Sequence, residues 1–160
     1  MKKILICEDN QSAAVAMQES LVKLIKCETI VANSFDAISD NISSNKFDYI
    51  ICDTIYASIY NTSDIKVASK KSDFLIYDTK GLNKNSVFLF SSGNKPAELS
   101  FIDSLNSYYI KPDKQKEIPE FNIKRMSKEE YENEDGINLG KSKIYPIIKF
   151  ILERSEQEIR

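Results

Sequence analysis

Short, nearly uninterrupted apolar runs alternate along the chain with longer stretches in which apolar residues recur every three or four positions. The first kind reads as a strand buried on both faces, the second as an amphipathic helix. Lys3–Cys7 is the first such run, and Glu8-Asp9-Asn10 ends it. From Gln11 to about Lys26, the residues Ala14, Met17, Leu21, Leu24 and Ile25 mark one helical face. Thr29–Ala32 is a short second strand. Ser34 is placed to cap a helix that carries Phe35, Ile38 and Ile42 and closes at Ser43-Ser44-Asn45. Phe47–Asp53 then runs through apolar residues and a cysteine into an acid.

The second half repeats the pattern. Ser86–Ser91 is a buried strand, Pro96 suits the first position of a helix carrying Leu99, Ile102 and Leu105, and Tyr108-Tyr109-Ile110 is a fifth strand closed by Lys111-Pro112. A helix from about Ser72 to Leu82 turns Phe74, Leu75 and Leu82 inward. Residues 54–72 and 113–140 follow neither period and read as insertion-like segments. Within the second, Ser127-Lys128-Glu129-Glu130 is a capping box for a short helix up to Gly136. A last helix over about 141–155 carries Ile144, Ile147, Ile148, Ile151 and Leu152 on one face, with Pro146 in its first turn. Five strand–helix units predict an α/β fold, a flavodoxin-like (βα)5 doubly wound parallel sheet of order 2-1-3-4-5, in one domain over residues 1–160.

Bulk properties narrow the chemistry. With 160 residues there is material for one sizeable core, and a net charge of −2 lacks the footprint of a dedicated nucleic-acid binder. No apolar run can span a bilayer, and the first one stops at Glu8-Asp9, too early for a secretory signal, so a cytoplasmic protein is expected. The chain has no histidine, which removes Ser-His-Asp and Cys-His catalysis and leaves oxygen ligands for any metal. Cys7, Cys27 and Cys52 lack metal-type spacing and read as packed, reduced thiols.

The residues just past the strands carry the functional signal. Glu8-Asp9 follows the first strand, Asp53 ends the third, Ser91-Ser92 the fourth and Lys111-Pro112 the fifth. Parallel strands bring all of these to one edge, and the order 2-1-3-4-5 places Glu8, Asp9 and Asp53 together at the switch point where such sheets bind ligands. Clustered carboxylates call for a cation, and a small all-oxygen site suits Mg²⁺. Lys111 offers a point positive charge for a phosphate and Ser91 a hydroxyl for a phosphoryl oxygen. A carboxylate can itself be the nucleophile and form an aspartyl-phosphate.

The ordered set Glu8-Asp9, Asp53, Ser91 and Lys111-Pro112 resembles the receiver domain of bacterial two-component response regulators. The resemblance spans nearly the whole chain apart from the two insertion-like segments, and it implies a stand-alone receiver. By that resemblance Asp53 would accept a phosphoryl group from a sensor histidine kinase or a histidine phosphotransfer protein. Glu8, Asp9, Asp53 and the backbone carbonyl of Ile55 would hold Mg²⁺. Ser91 would be the switch hydroxyl, Lys111 the phosphate-contacting lysine and Tyr108 the aromatic that moves on activation. The output would be altered binding to a downstream protein target. Such a protein is not an enzyme beyond its own phosphorylation and dephosphorylation.

The sequence departs from the family pattern in places. The Asp53 strand continues as Thr54-Ile55-Tyr56-Ala57-Ser58 where the family has a Met-Pro turn, no glycine occurs before Gly81, and Ser92 replaces a common alanine. These departures, with the long 113–140 segment, motivate a second reading: a pseudo-receiver acting as a phosphorylation-independent protein-interaction adaptor. A metal-dependent phosphatase would want an acid two residues beyond its nucleophile, and position 55 is Ile. The outer face of the last helix is available for homodimerisation.

Overall fold

The computed structural model describes residues 1–8, 10–52, 81–91, 106–113 and 128–159. The elements are β1 (Lys2–Cys7), α1 (Gln11–Leu24), β2 (Cys27–Ala32), α2 (Phe35–Ser44), β3 (Tyr49–Cys52), β4 (Val87–Phe90), β5 (Ser107–Tyr109) and α3 (Lys128–Ile159). The five strands form one sheet in the order β2-β1-β3-β4-β5, and every neighbouring pair is parallel. This is the expected doubly wound order.

Side-chain alternation divides the core into two layers. Ile4, Ile6, Tyr49, Ile51, Val87 and Leu89 face Met17 and Leu21 of α1 and Ile144, Ile147, Ile148 and Ile151 of α3. Leu5, Cys7, Ile50, Cys52, Phe88 and Phe90 face Ile38 and Ile42 of α2. Cys7 and Cys52 lie opposite each other in the β1–β3 register, and both are buried. The helix starts follow from capping: Asn10 Oδ1 accepts the Ala13 N–H at 3.0 Å, and Ser34 Oγ accepts the Ala37 N–H at 3.1 Å.

Asn83 ties the polypeptide before β4 to the end of α2. Its amide nitrogen donates to the carbonyls of Ile42 (2.7 Å) and Asn45 (2.8 Å), and its Oδ1 accepts the Phe47 N–H at 2.8 Å. Ser86 Oγ lies 2.6 Å from the Phe47 carbonyl and 2.9 Å from Asn83 Oδ1, so one hydroxyl proton is shared between two acceptors. Asn83 is buried, and both of its side-chain polar atoms are used, the amide nitrogen donating both N–H groups to carbonyls at a helix terminus.

The last helix differs most from expectation. A short helix ending at Gly136 and a second one starting at Lys141 are replaced by a single 32-residue helix. Gly136 and Gly140 lie inside it because α3 packs directly on the start of α1. A Cβ on Gly136 would sit 2.7 Å from Ser12 Cβ and 2.8 Å from Asn10 Oδ1, and one on Gly140 would collide with the backbone of Ala13. Spaced four apart, the glycines share one face and let the two backbones approach. Residues 128–135 add about 12 Å of helix before Gly136, at 1.5 Å per residue.

Pro146 also lies inside α3 rather than in a first turn. Its missing N–H frees the carbonyl four residues earlier, that of Ser142. The Asp113 N–H donates to that carbonyl at 2.8 Å, so the orphan acceptor binds the chain leaving Lys111-Pro112. Three residues expected on apolar faces are exposed: Leu24 at the frayed end of α1, Leu82 in a turn and Leu152 on the outer side of α3. The helix from about Ser72 lies outside the described residues up to position 80, and Gly81–Asn85 form turns. The helix carrying Leu99, Ile102 and Leu105 also lies outside them. No helix among the described residues is long and apolar enough to cross a membrane.

Two stability outcomes follow. Gly140→Ala should destabilise the fold by about 1–3 kcal/mol in denaturant unfolding. Helix propensity alone would stabilise it by about 1 kcal/mol, so the sign separates the two effects. Asn83→Ala should cost roughly 2–4 kcal/mol by orphaning buried partners. Asn83→Asp should be no better, because it sets a carboxylate against the Ile42 and Asn45 carbonyls.

Candidate functional site

The C-terminal edge of the sheet gathers Glu8 after β1, Ser91 after β4 and Lys111 two residues beyond β5. The backbone holds them there by extending the ladders: Glu8 N–H donates to Ala32 O at 3.2 Å, Ser91 N–H to Cys52 O at 3.0 Å and Ile110 N–H to Phe90 O at 2.8 Å. Asp9, Asp53 and Ile55, the other expected metal-site residues, lie outside the described residues.

Glu8 is 2% exposed. Its Oε2 accepts from Lys143 Nζ at 2.7 Å, and its Oε1 accepts the Asn10 N–H at 3.3 Å. Lys143 is itself buried and belongs to α3. An ionised carboxylate taken out of water must be paired and hydrogen-bonded to be tolerated, and here it is both. The glycine contact makes the reach possible: Gly140 brings α3 against Ala13, and Lys143 lies one turn further on.

Lys143 is the buried charged residue at this edge that the sequence reading missed. A signal was present. Position 143 is four before Ile147 and eight before Ile151, on the same stripe as the helix's buried isoleucines. A lysine there must find a buried anion.

Ser91 is 2% exposed, and among the described residues its buried hydroxyl has no hydrogen-bond partner. Buried hydroxyls nearly always have one, which sets Ser91 Oγ apart at this edge. Lys111 is exposed and Pro112 buried. Tyr108 and Tyr109 point to opposite faces: Tyr109 packs with Phe88 and Phe90, whereas Tyr108 is 38% exposed. The Tyr108 ring lies 5.0 Å from that of Phe150, with Arg154 stacked 5.7 Å above it and Arg154 Nη1 donating to its hydroxyl at 3.3 Å. The aromatic is thus latched to the outer half of α3.

Among the described residues at this edge, Glu8 and Ser91 carry side-chain oxygens, the ligand type that suits Mg²⁺. Among the described residues, no group of three or more acidic or cysteine side chains forms a ready metal cluster. Glu8 fits a metal ion in kind, yet the oxygen it would offer already carries an ammonium.

No family model matches the chain, and no curated protein matches it. Solved structures do. A CheY-like response regulator receiver domain protein from Methanospirillum hungatei JF-1 superposes with a TM-score of 0.53 at 16% identity, covering 99% of this chain and 98% of that one. The receiver domain of Francisella response regulator 1452 gives 0.51 at 18% identity, covering 69% and 84%. The non-phosphorylated HemR receiver domain from Leptospira biflexa gives 0.51 at 17% identity, covering 86% and 94%. The chain has the fold of response-regulator receiver domains.

Proposed function

We propose that the protein is a response-regulator receiver that accepts a phosphoryl group on Asp53 and signals through altered protein binding. The observation that carries this reading is Ser91, a buried hydroxyl at the end of β4 without a partner among the described residues, on the sheet edge where Glu8 and Lys111 also lie. Phosphoryl transfer needs charge stabilisation on the moving oxygens and little else from the protein.

In this reading a carboxylate oxygen of Asp53 attacks the phosphorus of a phosphohistidine on a sensor kinase or phosphotransfer protein. The P–O bond forms as the P–N bond breaks, and the imidazole leaves with the electron pair. Ser91 Oγ donates to a phosphoryl oxygen and thereby gains the partner it lacks. Lys111, on a flexible stem in solvent, swings its ammonium to another oxygen. Glu8, Asp9, Asp53 and the Ile55 carbonyl would hold Mg²⁺, which supplies positive charge to the phosphoryl group when bound. Occupying Ser91 changes the end of β4, and Tyr108, two strand positions into neighbouring β5, transmits the change to Phe150 and Arg154 of α3. A downstream protein target then reads the β5–α3 surface. The protein acts in the cytoplasm and turns over no substrate beyond its own phosphoryl group.

One observation favours the alternative adaptor reading. The Lys143–Glu8 pair neutralises part of the acid site without any ligand, as a phosphorylation-independent binding module would require.

Incubation with Mg²⁺ and a small-molecule phosphodonor should add one phosphoryl group, seen in the intact mass. Asp53→Asn should abolish the addition, and Ser91→Ala should slow it by about 10–100-fold, the range expected from losing one donor to a developing charge. Wild-type protein that stays unmodified under saturating phosphodonor, with partner binding unchanged by Asp53→Asn, would establish the adaptor instead.

A further inference from the structure

We propose that Lys143 is a built-in counter-cation of the strand-edge carboxylate site, and that a divalent cation reaches Glu8 only by displacing it. The inference rests on the receiver reading for the presence of a metal, but not on any phosphoryl transfer. Lys143 Nζ lies 2.7 Å from Glu8 Oε2, and both side chains are almost wholly buried, at 5% and 3% exposure. A dication ligated by the same carboxylate would sit within a few ångströms of the ammonium, where low local dielectric strengthens their repulsion. The two cations therefore compete for one anion.

Lys143 cannot simply swing into water. Its helix is fixed just before it: Gly140 lies against the Ala13 backbone, and the Ser142 carbonyl accepts the Asp113 N–H at 2.8 Å. The residues that follow, Ile144, Ile147 and Ile148, are buried in the α1-side core layer. Withdrawing the ammonium from Glu8 thus disturbs the seat of α3 on α1 and the anchor of the chain leaving β5. Metal occupancy and docking of α3 become one equilibrium. With Lys143 in place the acid site is also partly neutralised before any metal arrives.

The test is metal binding by the full chain, measured by calorimetric titration with Mg²⁺ or Mn²⁺ alone. Lys143→Met should bind at least about tenfold more tightly than wild type, since juxtaposed like charges cost several-fold more than one decade of affinity. Lys143→Arg, which keeps the cation, should bind like wild type. Glu8→Gln combined with Lys143→Met should lose the gain, because the contested carboxylate is gone. In wild type, saturating Mg²⁺ should shift the amide resonances of residues 140–145 and Asp113. If Lys143→Met is unfolded without metal, Mg²⁺ should refold it.

Equal or weaker affinity in Lys143→Met, a gain that survives removal of Glu8, absence of metal binding by both proteins, or failure of Mg²⁺ to refold an unfolded variant would each overturn the inference. These outcomes are distinct from failure of the receiver reading, which is judged by modification of Asp53. Metal competition in a protein that is never phosphorylated leaves the inference standing and removes the phosphoacceptor role.

Discussion

The buried pair between Lys143 and Glu8 is the interaction on which the sheet edge depends. It joins the end of β1 to the last helix across 135 residues of chain. It also holds a carboxylate, charged and dry, where a receiver fold gathers its acids. Breaking a buried pair by removing one partner leaves a charge without compensation, at about 3–5 kcal/mol. The structure meets this demand with the Gly136–Gly140 approach of α3 to α1. Without those two glycines the helix would stand off, and the lysine would fall short of its anion.

The same helix links other parts of the edge. Pro146 removes one N–H, the freed Ser142 carbonyl takes the Asp113 N–H, and the chain after β5 is thereby held against α3. Further along, Phe150 and Arg154 hold Tyr108. One helix thus contacts the acid site, the chain leaving the Lys-Pro turn and the exposed aromatic on β5. These elements at the edge share α3 as a common partner.

Much of this fold could be read from hydrophobic period. The apolar runs ending at Cys7, Ala32, Cys52 and Phe90 stand within one or two residues of the strand ends, and the helix cap at Ser34 follows from local chemistry. The unity of α3 could not be read that way. Two glycines and a proline are helix breakers by propensity, and only tertiary contacts explain them here: the Ala13 backbone for Gly140, the Asp113 amide for Pro146. Lys143 was hidden for a related reason. A lysine on an isoleucine stripe implies a buried anion, but nothing local says which one, because Glu8 is remote in sequence. The strand-end residues Glu8, Ser91 and Lys111 were visible because topology alone fixes which ends of parallel strands meet.

The central claim is that Ser91 awaits a phosphoryl group on Asp53. A crystal structure with Mg²⁺ and beryllofluoride tests it most directly. The account predicts beryllofluoride on the Asp53 carboxylate, with Ser91 Oγ within hydrogen-bond distance of one fluoride and no longer without a partner. Crystals grown under saturating beryllofluoride that show a bare Asp53, with the Ser91 hydroxyl still unpartnered, would contradict it.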